Sequence, residues 1–180
     1  LERGYATPSA LKLVGDRYTL RQRQRTAVMR ATCSDTQRAD RQHRRIPRDQ
    51  LKGSLHIDGF NVLTTVEAAL GGGVLLRSKD GCLRDMASMH GNYRVVHETR
   101  QALTLVGQFL EGLPLSEVVW YFDRAVSNSG RVSGQVRAFA TEHGWPWRAE
   151  VVIDPDPILA QVPACVATAD SVILGRCHAW

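Results

Sequence analysis

Few features that settle a protein's class at once are present. Four cysteines, Cys33, Cys82, Cys165 and Cys177, are spread over 180 residues and form no C-x-x-C. That spacing disfavours structural zinc or a disulfide framework and makes a reducing cytoplasm the expected compartment. The longest apolar run is the five residues 118–122, against the ~20 that a membrane helix needs, so no membrane partner is expected. The chain opens Leu1-Glu2-Arg3-Gly4, without an initiator Met or an apolar leader, and stops inside an amphipathic period at 173–180. Both ends read as cuts in a somewhat longer protein. Neither G-x-x-x-x-G-K-[ST] nor G-x-S-x-G occurs, which argues against a nucleoside-triphosphate hydrolase and an acyl-transfer enzyme. Gly71-Gly72-Gly73 follows a helical period and reads as a helix stop, not a dinucleotide fingerprint.

Charge is present but uneven. The total is +5, yet residues 1–52 hold 13 basic and 5 acidic side chains, while residues 53–180 hold 10 and 13. A basic unit of net +8 thus precedes a core of net −3, giving an expected division at 52/53.

In the basic unit, Ser9 can cap a helix over 10–14 ended by Gly15, and Thr19 a second over 20–32. Residues 35–52 have little apolar content and read as a solvated linker or a fraying helix. The arginines suit contacts to a nucleic-acid backbone. A docked helical hairpin, with its charge inflated by an Arg-rich composition (20 Arg to 3 Lys), is the competing reading.

From Ser54 the pattern alternates short β-rich runs with helical periods. Strands are expected at 55–57, 74–76, 118–122, 149–153 and 165–167. Helices are expected at 62–70, around 102–113, at 132–140, and from Ser171. A polar loop over 78–94 holds Asp80, Arg84, Asp85 and His90. Such alternation predicts an α/β domain with a mostly parallel sheet. Asp58, Asp123, Asp154 and Asp170 then follow four strand ends, which share one edge in a parallel sheet. Four carboxylates there repel unless a divalent cation neutralises them or one keeps its proton. All-oxygen ligands favour Mg²⁺ or Mn²⁺ over zinc. Each Asp taken singly is also an ordinary turn former or helix cap.

Local context extends this site. Asp58-Gly59-Phe60-Asn61 places a tight glycine turn and an amide that can reach back. Arg124 and the turn Ser127-Asn128-Ser129 could hold a phosphate at a helix start. Thr168 stands two residues before Asp170 and suits a supporting hydrogen bond. Arg84 and Asp85 are further substrate contacts. His90, His97 and His143 are scattered and read as ordinary polar residues, and Trp145-Pro146-Trp147 as packing at a strand entry.

The D-G-F-N of 58–61 resembles the opening motif of the NYN branch of PIN-like metal-dependent nucleases. Tyr121-Phe122-Asp123 resembles that group's second strand-end Asp, and Thr168-Ala169-Asp170 is similar to its late T-x-D. PIN-like enzymes usually add an acid from a helix, for which Asp85 and Glu98 are the candidates. Nearly end to end, the chain also resembles a two-part prokaryotic family. Its first part, domain of unknown function 434, has an R-G-Y…L-V-G-x-R-Y…Q-R pattern, matched by Arg3-Gly4-Tyr5, residues 13–18 and Gln24-Arg25. Its second, domain of unknown function 5616, resembles 54–180. The resemblance implies a three-layer, Rossmann-like PIN/NYN domain behind a small basic helical domain. It also implies a metal-dependent phosphodiesterase acting on nucleic acid, RNA foremost, with Asp58, Asp123, Asp170 and Asn61 catalytic and Asp154 a further ligand. Two alternatives stand beside it: a non-catalytic nucleic-acid-binding or adaptor protein on a degenerate nuclease fold, and a small-molecule phosphate-handling α/β enzyme.

Overall fold

Three short helices open the chain in the computed structural model, which describes residues 1–86 and 93–180. Helix α1 spans Thr7–Arg17, with Pro8 in its first turn. It runs through Gly15, which was expected to end it. A Cβ at Gly15 would lie 2.2 Å from Nη1 of Arg25, so the glycine admits that guanidinium. Arg25 donates to the Leu20 carbonyl (2.9 Å) and to Asp16 (2.8 Å). Helix α2 spans Gln22–Ala31. Helix α3, Asp35–His43, forms where a solvated linker or a fraying helix was expected. Ser34 caps it and Gln37 returns a bond to the Ser34 amide, the reciprocal box that starts a helix despite a polar sequence. A 3-10 turn, Arg48–Gln50, leads into the core.

The core follows as β1 Gly53–Asp58, α4 Gly59–Leu70, β2 Leu75–Arg77, β3 Leu83–Asp85, α5 Glu98–Leu110, β4 Leu115–Asp123, α6 Ser129–His143, β5 Trp147–Val152, α7 Pro155–Gln161, β6 Cys165–Ala167 and α8 Ser171–Leu174. Strands β5, β4, β1 and β6 lie side by side in that order, with every pairing parallel. The fold is therefore α/β with a parallel four-stranded sheet. Alternation along β4 explains its unbroken apolar run, because both faces are covered. Val118, Trp120 and Phe122 pack with Phe60, Leu103 and Val136 of α4–α6. Val119 and Tyr121 meet Leu159 and Ile173 of α7 and α8 on the other face.

Helix α7 was not expected from sequence, and this core departs from expectation in two further places. The expected second strand does not join the parallel sheet: β2 and β3 form a separate antiparallel hairpin. Its connection includes Asp80 and Gly81, the latter at φ +91°, so the front of the expected 78–94 loop is a turn. The expected terminal helix is the single turn α8, after which the tail pairs Ala179 with Cys165. Trp180 then bonds Arg44, Ile46 and Arg41.

The arm docks on the core through buried charge. Asp80 is 1% exposed. It accepts from Nη1 of Arg41 at 2.5 Å and from both terminal nitrogens of Arg84 at 2.8 and 3.1 Å. Arg84 also donates to the Ala169 and Arg30 carbonyls, and Arg41 to that of Ser171. Arg44 and Arg48 reach the Cys177 and Phe109 carbonyls. Much of the arm's positive charge therefore holds the two parts together.

Gly107 of α5 lies under the Trp145 ring, 1.8 Å from where a Cβ would be. That ring is wedged among Phe139, His143 and Trp147 and has little room to retreat. Gly107→Ala is expected to lower the unfolding free energy by about 2–3 kcal/mol in urea denaturation, although alanine is the better helix former.

Candidate functional site

Beyond the carboxyl edge of the sheet lies a cleft of about 340 Å³. Period two along the strands decides which side chains reach it. In register, Asp58 of β1 pairs with Tyr121 of β4. Tyr121 packs on the α7–α8 side, and Asp58 and Asp123 each lie an even number of residues from a side chain on that side. Asp154 and Asp156, at the start of α7, and Asp170, at the start of α8, complete the acidic wall, with Asp85 of β3 opposite. Arg30 of α2 is the sole basic side chain lining the cleft among the described residues.

Asp58 precedes a helix but does not cap it. Gly59 behind it has an ordinary φ. Its requirement is close approach and not the expected tight turn, because a Cβ would stand 2.6 Å from the Tyr121 carbonyl oxygen and from the Phe122 ring. Asp58 is thereby pressed against β4, and burial pushes its carboxyl up to about 7. The Thr168 hydroxyl, donating to Asp58 Oδ2 at 2.8 Å, opposes that rise, while the charges of Asp170 and Asp156 add to it. Asp156 is also held above the usual carboxylate range, first by desolvation and then by Asp170, Asp154 and Asp123. Burial comes first in both cases, and the neighbouring carboxylates add to it.

The turn and cap functions of the remaining acids are real. Asp123 Oδ1 accepts from the Ala125 amide, Asp154 Oδ1 from Asp156, and Asp170 Oδ1 from Val172 and Ile173. Each spends one oxygen in this way and leaves Oδ2 without a hydrogen bond from the described residues. Asn61 Oδ1 accepts from the Ala169 amide at 2.7 Å, and Thr168 Oγ1 accepts from the Asp170 amide at 2.9 Å. Together they fix the 168–170 turn, so both act by positioning Asp58 and Asp170. Asp85 accepts from Thr65 at 3.0 Å and pairs with Arg30.

Other expected contacts lie elsewhere. Arg124 and residues 127–129 do not line the cleft: Ser127 and Asn128 bond the backbone of Tyr93, so that turn anchors a loop. Arg84 is committed to Asp80. Of the two candidates for a further acid, Asp85 is in the cleft and Glu98 is not. His90 falls outside the described residues. The sequence reading missed Asp156 and Arg30. The D-P-D of 154–156 at a strand end could have signalled the first, and nothing local signals the second.

Residues 48–180 match the model of a domain of unknown function, DUF5616. The chain belongs to the DUF5616 family. Ahead of that domain, residues 1–44 match the model of a protein of unknown function, DUF434. An uncharacterized protein of Methanocaldococcus jannaschii, MJ0935, is 29% identical over 175 residues, which cover 97% of this chain and 83% of that protein. No solved structure matches the chain. No helix among the described residues is long and apolar enough to cross a membrane.

Among the described residues, no three Asp, Glu, His or Cys side chains are grouped closely enough to hold a metal ion as placed. The donor chemistry nevertheless fits a hard divalent cation. The acidic wall is all oxygen, Oδ2 of Asp123, Asp154 and Asp170 takes no hydrogen bond from the described residues, and a cation would offset the mutual repulsion of Asp58, Asp156 and Asp170.

Proposed function

We infer that the DUF5616 domain is a PIN/NYN-like, metal-dependent phosphodiesterase that cleaves a nucleic-acid backbone, RNA foremost. The observation carrying this reading is the acidic cleft itself: five carboxylates at the carboxyl edge of a parallel sheet, a sixth from the β2–β3 hairpin, and Asp58 pushed up to about 7. Asp58, Asp123 and Asp170 would hold Mg²⁺ or Mn²⁺, aided by Asp154 or Asp156. When bound, such an ion supplies a water of lowered pKa and positive charge for the phosphoryl oxygens. Thr168 and Asn61 hold the two acids on β1 and α8 in fixed relation. Arg30 offers a phosphate its guanidinium at the cleft's rim, and Asp85 restrains that guanidinium.

A non-catalytic nucleic-acid-binding protein is favoured by one observation, the lack of a preformed ligand trio among the described residues. The same cleft weighs against it, because uncompensated carboxylates repel a polyanion.

Wild-type protein incubated with single-stranded RNA and Mn²⁺ is expected to cleave it, and Asp123→Asn to do so about 100-fold more slowly or worse, in line with losing preorganised charge stabilisation. Equal cleavage by both, or none by either, overturns the reading. Salt-sensitive binding without cleavage establishes the second one.

A further inference from the structure

A second cavity, of about 620 Å³, opens between the arm and the core. Arg30, Asn61, Asp85 and Asp170 line both it and the acidic cleft, so the two are continuous. The character of the wall reverses from one to the other. Arg30, Arg41, Arg84 and Arg176 face the cavity from four separate elements, against the carboxylates of Asp85 and Asp170. Arg41 is 3% exposed, and its Nε has no hydrogen-bond partner among the described residues. Its other nitrogens are taken by Asp80 and the Ser171 carbonyl. That Nε is out of reach of solvent, so Arg41 gives the cavity wall positive charge and not a hydrogen bond.

We propose that this arginine-lined cavity seats a phosphate of the nucleic-acid strand, next to the phosphodiester that lies in the acidic cleft. The inference rests on the nuclease reading above and gives the arm a defined part in it: α2 and α3 close one wall of the substrate path. Guanidinium forks suit phosphate oxygens, and four of them beside an acidic cleft set a direction for the strand. Arg41 and Arg84 keep their bonds to Asp80 and Arg30 its pair with Asp85, so Arg176 supplies the charge that a phosphate can recruit. The phosphate is either a 5′-terminal group or an internal diester, and the test separates them.

Fluorescence anisotropy of ten-nucleotide single-stranded RNA, carrying either a 5′-phosphate or a 5′-hydroxyl, is measured with the whole chain in Ca²⁺, a hard divalent cation that can neutralise the acidic cleft. Arg176→Gln and Met29→Glu are compared with wild type. Met29 is 46% exposed and lines the cavity, so Met29→Glu adds a repelling carboxylate without touching the Asp80 network. Arg176→Gln is expected to weaken binding about 3- to 5-fold and flatten the salt slope by roughly one phosphate contact. Met29→Glu is expected to weaken it about 10-fold, close to the 1.4 kcal/mol equivalent of a decade. Loss confined to the 5′-phosphorylated strand assigns the terminal group, and equal loss on both strands assigns an internal diester. Unchanged binding in both variants, or no binding of either strand to wild type, overturns the proposal. Unchanged binding alongside Mn²⁺-dependent cleavage overturns the cavity alone. Variant-sensitive binding without cleavage keeps the cavity and rejects the nuclease reading.

Discussion

Asp80→Asn is expected to be the most damaging single conservative change in this chain, lowering the unfolding free energy by about 3–5 kcal/mol. The carboxylate is buried with Arg41 and Arg84, which are 3% and 9% exposed. Replacing it by a neutral amide leaves two guanidiniums buried without a counter-charge. Burial alone would raise the Asp80 carboxyl, but the hydrogen bond and charge of Arg84, the Cys82 amide and Arg41 outweigh it and hold it down to about 2. A depressed folded value means that the carboxylate stabilises the fold above its unfolded value of 3.8. That contribution is lost as pH falls from 3.8 towards 2. Wild type should therefore lose stability over that interval, and Asp80→Asn should lack this component. Because α3, the β2–β3 hairpin and the 169–171 turn all meet at Asp80, arm and core should unfold together. Urea melts followed by far-UV circular dichroism across this pH range check both points. A variant as stable as wild type would remove the network as the joint between them.

Asp58→Asn is expected to act in opposite directions on stability and activity. Its carboxyl is raised to about 7, so the folded state resists ionisation that the unfolded chain accepts near 3.8. That penalty is absent below 3.8, grows as pH rises towards 7, and is complete above it. The amide keeps an acceptor for Thr168 and carries no charge. At pH 8 without metal, the variant should be more stable than wild type by on the order of 2 kcal/mol, and at pH 4 no more stable. Cleavage in Mn²⁺ should fall about 100-fold or more. A residue that costs stability where it stands and is kept there for chemistry behaves in this way. Thermal melts at the two pH values, run beside the cleavage assay, separate this from plain structural damage, which would lower both quantities.

Much of the site was legible because the sheet's edge is written in strand ends. Asp58, Asp123, Asp154 and Asp170 each follow a short β-rich run, and parallel order brings such ends together. Which acids merely turn the chain was not legible, since a carboxylate can cap a helix with one oxygen and face the cleft with the other. Asp154 and Asp170 cap α7 and α8 while lining the cleft, and Asp123 does the same from a turn. The misreadings have local causes. The hairpin of β2 and β3 was hidden because its strands are three residues long, although the Asp80-Gly81 pair is a recognised turn signal. Helix α3 was hidden because its stability comes from the Ser34–Gln37 box and from Arg41 bonding a distant Asp, not from an apolar stripe. Gly15 reads as a helix stop unless one knows that Arg25 crosses it. Arg30 could not have been assigned to the cleft from sequence, because its place depends on how the arm docks. The charge asymmetry marked the segment but not that Arg25, Arg41, Arg44 and Arg48 form internal bonds.

A cleft that serves phosphodiester cleavage as proposed must bind a divalent cation. Titration of Mn²⁺ into metal-free protein, followed by the electron paramagnetic resonance of the free ion, tests it most directly. Wild type should take up one or two ions per chain, and Asp58→Asn combined with Asp170→Asn should take up none in the same concentration range. Equal uptake by wild type and the double variant, or none by wild type, would contradict the account.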